Sequence, residues 1–422
     1  QIRETTSISI NLPKNRVYLT LYNPNYVGSY TALLIPVFTV LMFFQKKIHR
    51  ILLCLVIVVG LIISSIGSLS LTGVIAIVAS TFFVLVFTWR YLLKRFYFVI
   101  PAILLMVAVF LLSNKLTDGA VFADIKEGIF PSKSNYELEE MVTERDHVKI
   151  VYKGNELKVS YFVSGDQAII EIMDADNKKV AGELNPETNT NTINDERFKG
   201  ITVKPDSDYY GFFHIGVAGY DWVFVYSQED GTFYYINDKG RPDHMIKAPA
   251  AVFDGYESFA SGRGYIWSRT IPMIKDYIVL GSGPDTFAMA FPQQDYMDLT
   301  LMGYDETLLT KPHNMYLQIA IETGLLSLIA FLVFYGMYFV QSFRLYIRGR
   351  FTSYYSQVGV AIFIGTIAYM VTGLANDSSI TTAPVFWTLM GIGIAVNAKA
   401  KPLILEERKR IKEEKQKSNS EN

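Results

Sequence analysis

Apolar runs long enough to cross a bilayer recur along this chain, at about 27–44, 51–66, 71–88, 96–112, 315–340, 358–374 and 383–396. A hydrocarbon core of about 30 Å needs roughly 20 helical residues, and each run comes close to that length. The pattern predicts a mainly α, polytopic helical membrane protein with about seven transmembrane helices in this stretch. Basic clusters fall at alternate ends of the runs: Lys46-Lys47-Ile48-His49-Arg50, then Arg90 with Lys94-Arg95, then Arg344, Arg348 and Arg350, then the tail after Lys399. By the positive-inside rule these ends are cytoplasmic. The expected layout is an extracytoplasmic loop over 1–22, four transmembrane helices over 23–112, an extracytoplasmic region over 113–310, three transmembrane helices over 311–397 and a charged cytoplasmic tail over 398–422. The first residues then lie outside with no signal peptide before them, which reads as the C-terminal part of a longer protein whose earlier spans are missing.

Between 113 and 310 the long apolar runs stop. From about 145 to 243, short alternating segments such as Val148-Lys149-Ile150-Val151-Tyr152 and Leu157-Lys158-Val159-Ser160-Tyr161-Phe162 are joined by Gly-Asn, Asp-Asn and Asp-Gly turns. That period-two signature predicts an inserted, extracytoplasmic β-rich domain. The Asn- and Thr-rich tract 185–197 is expected to be a mobile loop within it. From about 253 to 310 the pattern turns helical and leads back to the membrane.

Composition narrows the picture a little. Half the residues are hydrophobic, and 28 Phe with 27 Tyr suit a membrane protein with aromatic belts. A net charge of -1 argues against a nucleic-acid partner. The single Cys54 lies in an apolar run, so the chain offers neither an internal disulfide nor a thiolate metal site.

The string Lys311-Pro312-His313-Asn314 sets an ionisable imidazole at the outer mouth of the fifth run, where a polar side chain is costly unless it has chemistry to do. Pro312 is expected at the first helical position and His313 in the first turn. There the helix dipole and Lys311 would disfavour the imidazolium, and the free N–H groups could hold a phosphate. Asn314, Gln318 and Glu322, four apart, form one polar stripe descending about 12 Å. Helix-to-helix hydrogen bonding is the simpler reading of that stripe, and a lining for an acceptor path or an orienter of His313 the functional one. Asp174-Ala175-Asp176-Asn177 lacks the oxygens of a calcium loop, and His147, His214 and His244 lack the spacing of metal ligands.

Three further strings carry a resemblance. Tyr22-Asn23-Pro24-Asn25-Tyr26-Val27-Gly28 opens a span. Ser261-Gly262-Arg263-Gly264-Tyr265-Ile266-Trp267 is followed by Met273-Ile274-Lys275-Asp276 and Gly281-Ser282-Gly283-Pro284-Asp285-Thr286-Phe287. His313-Asn314 stands ahead of Gly324. In this order they resemble the O-antigen ligase and Wzy-type polymerase superfamily, and they bracket almost the whole chain apart from the β domain, which looks like an insertion. Ser327 departs from the family's usual Gly, Thr or Tyr, and Ser70-Leu71 stands where many members carry Ser-Arg.

The resemblance implies a bacterial cytoplasmic-membrane enzyme of cell-surface polysaccharide biosynthesis. Such an enzyme moves a glycan from undecaprenyl pyrophosphate to a hydroxyl on a lipid or glycan acceptor, with neither metal nor cofactor. It implies His313 as base and Arg263 as the group holding pyrophosphate, its two glycine neighbours letting the backbone approach a lipid head group. Lys311, Asn314, Arg269 and Glu322 are the expected substrate contacts, with Lys275 a further cation. A polymerase of the same superfamily, a polysaccharide transporter and a non-catalytic membrane protein that grips glycan through its β domain are the alternatives.

Overall fold

A computed structural model describes residues 16–94, 132–164, 167–207, 209–305, 307–347 and 349–420, with scattered positions between 107 and 126. The chain divides into two compact units, 1–129 with 313–422, and 130–312.

The first unit is helical. Its helices are α1 (Pro24–Phe44), α2 (Ile48–Ser68), α3 (Leu71–Lys94), α7 (Met315–Glu322), α8 (Leu325–Tyr346), α9 (Tyr354–Thr372) and α10 (Ala383–Ser420). Among the described residues six of these, all except α7, are long and apolar enough to cross a membrane. The fourth expected run, 96–112, falls almost wholly outside the described residues.

The fifth run is not one helix. Thr323 ends α7, and Gly324 takes φ 100° and ψ 153° before α8 begins, a backbone shape that only glycine adopts without strain. The expected continuous span over 315–340 is therefore a short helix followed by one of membrane-spanning length.

Helix α1 starts where its sequence says it should. Asn23 caps it by accepting from the Asn25 N–H at 2.8 Å, and Pro24 fills the first helical position. Glycines let α1 come close to two neighbours. A Cβ on Gly73 of α3 would lie 2.7 Å from the Gly28 Cα, and one on Gly365 of α9 would lie 2.6 Å from the Leu33 carbonyl oxygen. Without a hydrophobic drive between helices in lipid, such close backbone approach is a main source of association. Helices α8 and α10 are joined by a buried polar chain, in which Tyr346 donates to Asn397 and Asn397 to Ser342 at 2.8 Å. By contrast only 17% of the apolar window of α2 is buried within the chain, so its Leu52, Leu53, Val56 and Ile63 look outward.

The second unit holds the β structure. A four-stranded antiparallel meander runs β1 (Leu138–Thr143), β2 (Val148–Tyr152), β3 (Asn155–Ser164) and β4 (Gln167–Asp174). A seven-stranded one follows: β5 (Gly182–Asn185), β6 (Thr190–Ile193), β7 (Thr202–Pro205), β8 (Phe212–Val217), β9 (Tyr220–Ser227), β10 (Thr232–Ile236) and β11 (Pro242–Asp243). Within each sheet every strand pairs with the next in sequence, the pattern of a meander. Alternation sorts the faces, with Val148, Ile150, Phe213, Ile215 and Phe224 all buried in one core. The tract expected to be a mobile loop, 185–197, is instead ordered: Leu184 and Asn185 pair with Asn191 and Thr190, and Asp195 caps a 3-10 turn over Glu196–Phe198.

The rest of this unit is helical: α4 (Phe259–Met273), α5 (Phe287–Ala290) and α6 (Tyr296–Leu301). Helix α4 is broken near its start, where Ala260, Ser261 and Gly262 take φ values of 52°, 61° and 84°. Two of these are not glycine, so the bend is held against an intrinsic cost of about 1–2 kcal/mol for each.

Candidate functional site

His313 lies in the helical unit and stands outside the helix it was expected to open. Asn314 is the N-cap of α7, and its Oδ1 accepts from the N–H groups of Tyr316 at 2.9 Å and Leu317 at 3.1 Å. The Met315 N–H donates to the Gly373 carbonyl at 2.8 Å. The helix start expected to offer free donors to a phosphate is thus already filled from within. Pro312 is likewise not the first helical residue. His313, with φ 50°, adopts the left-handed conformation just ahead of the cap.

That conformation turns the imidazole toward Asp377. Nδ1 of His313 lies 2.9 Å from Oδ2 of Asp377, whose side chain is 3% exposed against 42% for the histidine. An ionised carboxylate only accepts, so Nδ1 carries the proton of this bond and Nε2 keeps its lone pair. Among the described residues the other Asp377 oxygen, Oδ1, is buried with no hydrogen-bond partner. The arrangement is a half-exposed imidazole oriented by a buried carboxylate, the constellation a general base requires.

Asp377 is the residue that sequence reasoning missed. The only signal was the polar string Asn376-Asp377-Ser378-Ser379 between the last two apolar runs, an acid at the same end of its span as His313. In the polar stripe, Asn314 also donates from Nδ2 to the Leu374 carbonyl at 2.9 Å. Gln318 donates to Glu322 Oε2 at 3.2 Å, and its Oε1 accepts from the Ser378 N–H at 2.8 Å. Both Gln318 and Glu322 are 7% exposed, and the stripe's bonds run within α7 and to the non-helical segment that bears Asp377.

Arg263 lies in the other unit. It follows the left-handed bend, is half-buried, and donates from Nη1 back to the Ala260 carbonyl at 2.9 Å. Its glycine neighbours, expected from sequence to let the backbone approach a lipid head group, are both buried against the chain itself. A Cβ on Gly262 would strike the Tyr304 hydroxyl, and one on Gly264 the Tyr256 carbonyl. The glycines are there so that the chain can fold tightly on itself. Burial raises the Tyr304 hydroxyl above its ordinary range, with the nearby Arg263 charge acting the other way.

Arg269, one and a half turns further along α4, is 1% exposed. Its Nε bonds Asp295 at 3.2 Å, Nη2 bonds Asp298, Nη1 bonds Ser268 at 2.9 Å, and Glu257 lies 3.6 Å away. Its guanidinium also covers the Tyr265 ring at 4.8 Å. Its charge is committed inside the unit. Burial, and then the charge of Asp298, push the Asp295 carboxyl up to about 6. Lys311 is ion-paired with Asp285, and Trp267 donates from Nε1 to the Pro312 carbonyl at 2.8 Å. Lys275 sits in a 3-10 turn over Ile274–Asp276.

The β1–β2 turn brings ligand atoms of Glu144, Asp146 and His147 within 4.8 Å of one another, with both acids exposed. His214 bridges Asp206 at 3.0 Å and Asp221 at 2.8 Å.

Among the described residues, six helices long and apolar enough to cross a membrane stand with a two-sheet β region and a carboxylate-oriented histidine at a helix start. A family model described as O-antigen ligase matches residues 214–332, from β8 into α8, and supports the resemblance to the O-antigen ligase and Wzy-type polymerase superfamily. No curated protein and no solved structure matches it. The matched stretch holds Arg263, His313 and Gly324. It also takes in strands β8 to β11, so the family match reaches into the β region that looked from sequence like an insertion.

Proposed function

We propose that the protein transfers a glycan from undecaprenyl pyrophosphate to a hydroxyl acceptor at the outer face of the cytoplasmic membrane, as an O-antigen ligase-type enzyme without a metal. The observation that carries this reading is the His313–Asp377 pair at 2.9 Å. The acceptor oxygen attacks the anomeric carbon while Nε2 of His313 takes its proton. The bond from that carbon to the pyrophosphate oxygen breaks, and undecaprenyl pyrophosphate leaves with the bonding electrons. Asp377 stabilises the imidazolium that forms, and the proton returns to bulk water afterwards.

The departing pyrophosphate needs cationic donors, and Arg263 is assigned that role. Its planar fork binds two phosphate oxygens at once, which an ammonium does not. The bend over Ala260–Gly262 fits the role, since strained backbone clusters where a side chain must be held for a ligand. Arg263→Lys is therefore expected to lose about 10² to 10³ in turnover, as loss of one donor to a developing charge does. The assay is transfer from purified lipid-linked glycan in detergent with excess chelator. Near-normal turnover of the lysine variant would remove Arg263 from the mechanism, and abolition by the chelator alone would require a metal.

The four basic clusters support an outer location for 113–310. In a Cys54→Ser background, Glu187→Cys is expected to react with an impermeant thiol reagent on intact cells and Lys46→Cys only after lysis. Labelling in the reverse pattern would invert the topology and sink the reading.

A further inference from the structure

We propose that Asn376 and Gln318 are positioning residues that hold the Asp377 carboxylate against His313, an inference that rests on the role of His313 as base. Asp377 is carried by an irregular segment between α9 and α10, where no helix ladder fixes its direction. Its two sequence neighbours are fixed instead, each by a different helix. Nδ2 of Asn376, 2% exposed, donates to the Ser29 hydroxyl of α1 at 2.9 Å and lies 3.4 Å from the Asn25 carbonyl. Ser29 in turn donates to that same carbonyl at 3.1 Å. On the other side, the Ser378 N–H is held by Gln318 of α7.

Helix α7 grips the start of the segment as well, through Met315 to Gly373 and Asn314 to Leu374. Four polar contacts thus run from His313, Asn314 and α7 to one stretch of six residues, among them the His313–Asp377 bond, while Asn376 ties the same stretch to the start of α1. Buried amide side chains are costly to place unless satisfied, and here they are spent on a non-helical backbone beside an acid. Asn25, in the motif that opens α1, and Ser29 just beyond it gain a physical purpose from this: they anchor the carboxylate's neighbour.

A misplacement of about 1 Å in a reacting group can cost on the order of 10² in rate. Asn376→Ala and Gln318→Ala are therefore each expected to lower kcat about 10 to 100-fold with KM for purified undecaprenyl-pyrophosphate glycan unchanged. In an Asp377→Asn background the same substitutions should cost nothing more, because residues that act through one group are not additive. Ser29→Ala, which deletes only the partner hydroxyl of Asn376, gives a milder loss of the same kind should Asn376→Ala fold poorly.

A second readout does not depend on the reaction. In ¹⁵N-histidine spectra of the detergent-solubilised protein, with His313 assigned by its loss in His313→Ala, the wild type is expected to show one tautomer protonated at Nδ1. Asn376→Ala should show a mixture. Unchanged kcat, an undiminished loss in the Asp377→Asn background or an unchanged tautomer would overturn the positioning role. Full activity in His313→Ala would instead overturn the base assignment and leave the tautomer result standing.

Discussion

Alanine at His313 is expected to slow glycan transfer by about 10² to 10⁴-fold, the range that general-base assistance supplies. Donor affinity should change little, since the role proposed for the imidazole is toward the acceptor hydroxyl rather than the pyrophosphate. Asp377→Asn is expected to fall by a comparable factor for a different reason. A carboxylate can only accept the Nδ1–H, whereas an amide can turn its NH2 toward Nδ1 and leave the proton on Nε2, the atom that must take the acceptor's proton. In the Ser-His-Asp triad that wrong-tautomer effect alone is worth about 10⁴. Because the two residues act as a unit, the double variant should be no slower than the slower single one. Steady-state turnover with saturating donor is the measurement. A His313→Ala enzyme within a few fold of wild type would reduce the imidazole to a structural partner of Asp377.

How much of this could be read in advance depends on the range of the interactions involved. The helices of membrane-spanning length were legible because an unbroken apolar run is a property of neighbouring residues. The strands were legible because period-two alternation and the Asp-Gly and Gly-Asn turns are equally local. The break after Glu322 was not, since Gly324 sits inside an apolar run and only its backbone shape shows that it ends one helix and admits another. His313 stood out as a polar residue at the mouth of a span. Its partner, 64 residues further on, did not, because no periodicity connects two residues that meet only through the tertiary fold. The two arginines of α4 show the same limit. Both Arg263 and Arg269 were expected to face the substrate, yet one is half-buried and the other is enclosed by carboxylates contributed from 257, 295 and 298.

That enclosure sets the second large effect, on stability rather than on chemistry. Arg269→Ala removes the cation from a cluster in which Glu257, Asp295 and Asp298 are each at most 7% exposed, and leaves Lys247, 2.7 Å from Asp298, as the nearest cation. Removing one partner of a buried ion pair typically costs about 3–5 kcal/mol, because the remaining charge is left uncompensated. The unit 130–312 is expected to lose about that much, seen as earlier melting of its tryptophans Trp222 and Trp267 and as faster proteolysis. The pH dependence follows from the Asp295 carboxyl, raised to about 6 in the folded protein from its ordinary 3.8. A group whose folded pKa lies above its unfolded value binds more protons when folded, so its contribution falls as pH rises between about 4 and 6. Without Arg269, whose charge opposes that rise, the window widens upward, and the variant's deficit should shrink on acidification as Asp295 takes up a proton. Asp295→Asn added to Arg269→Ala removes one of the stranded charges and should recover part of the loss. A single Arg269→Ala variant that melts like the wild type at pH 7 would show that the cluster carries no net stability.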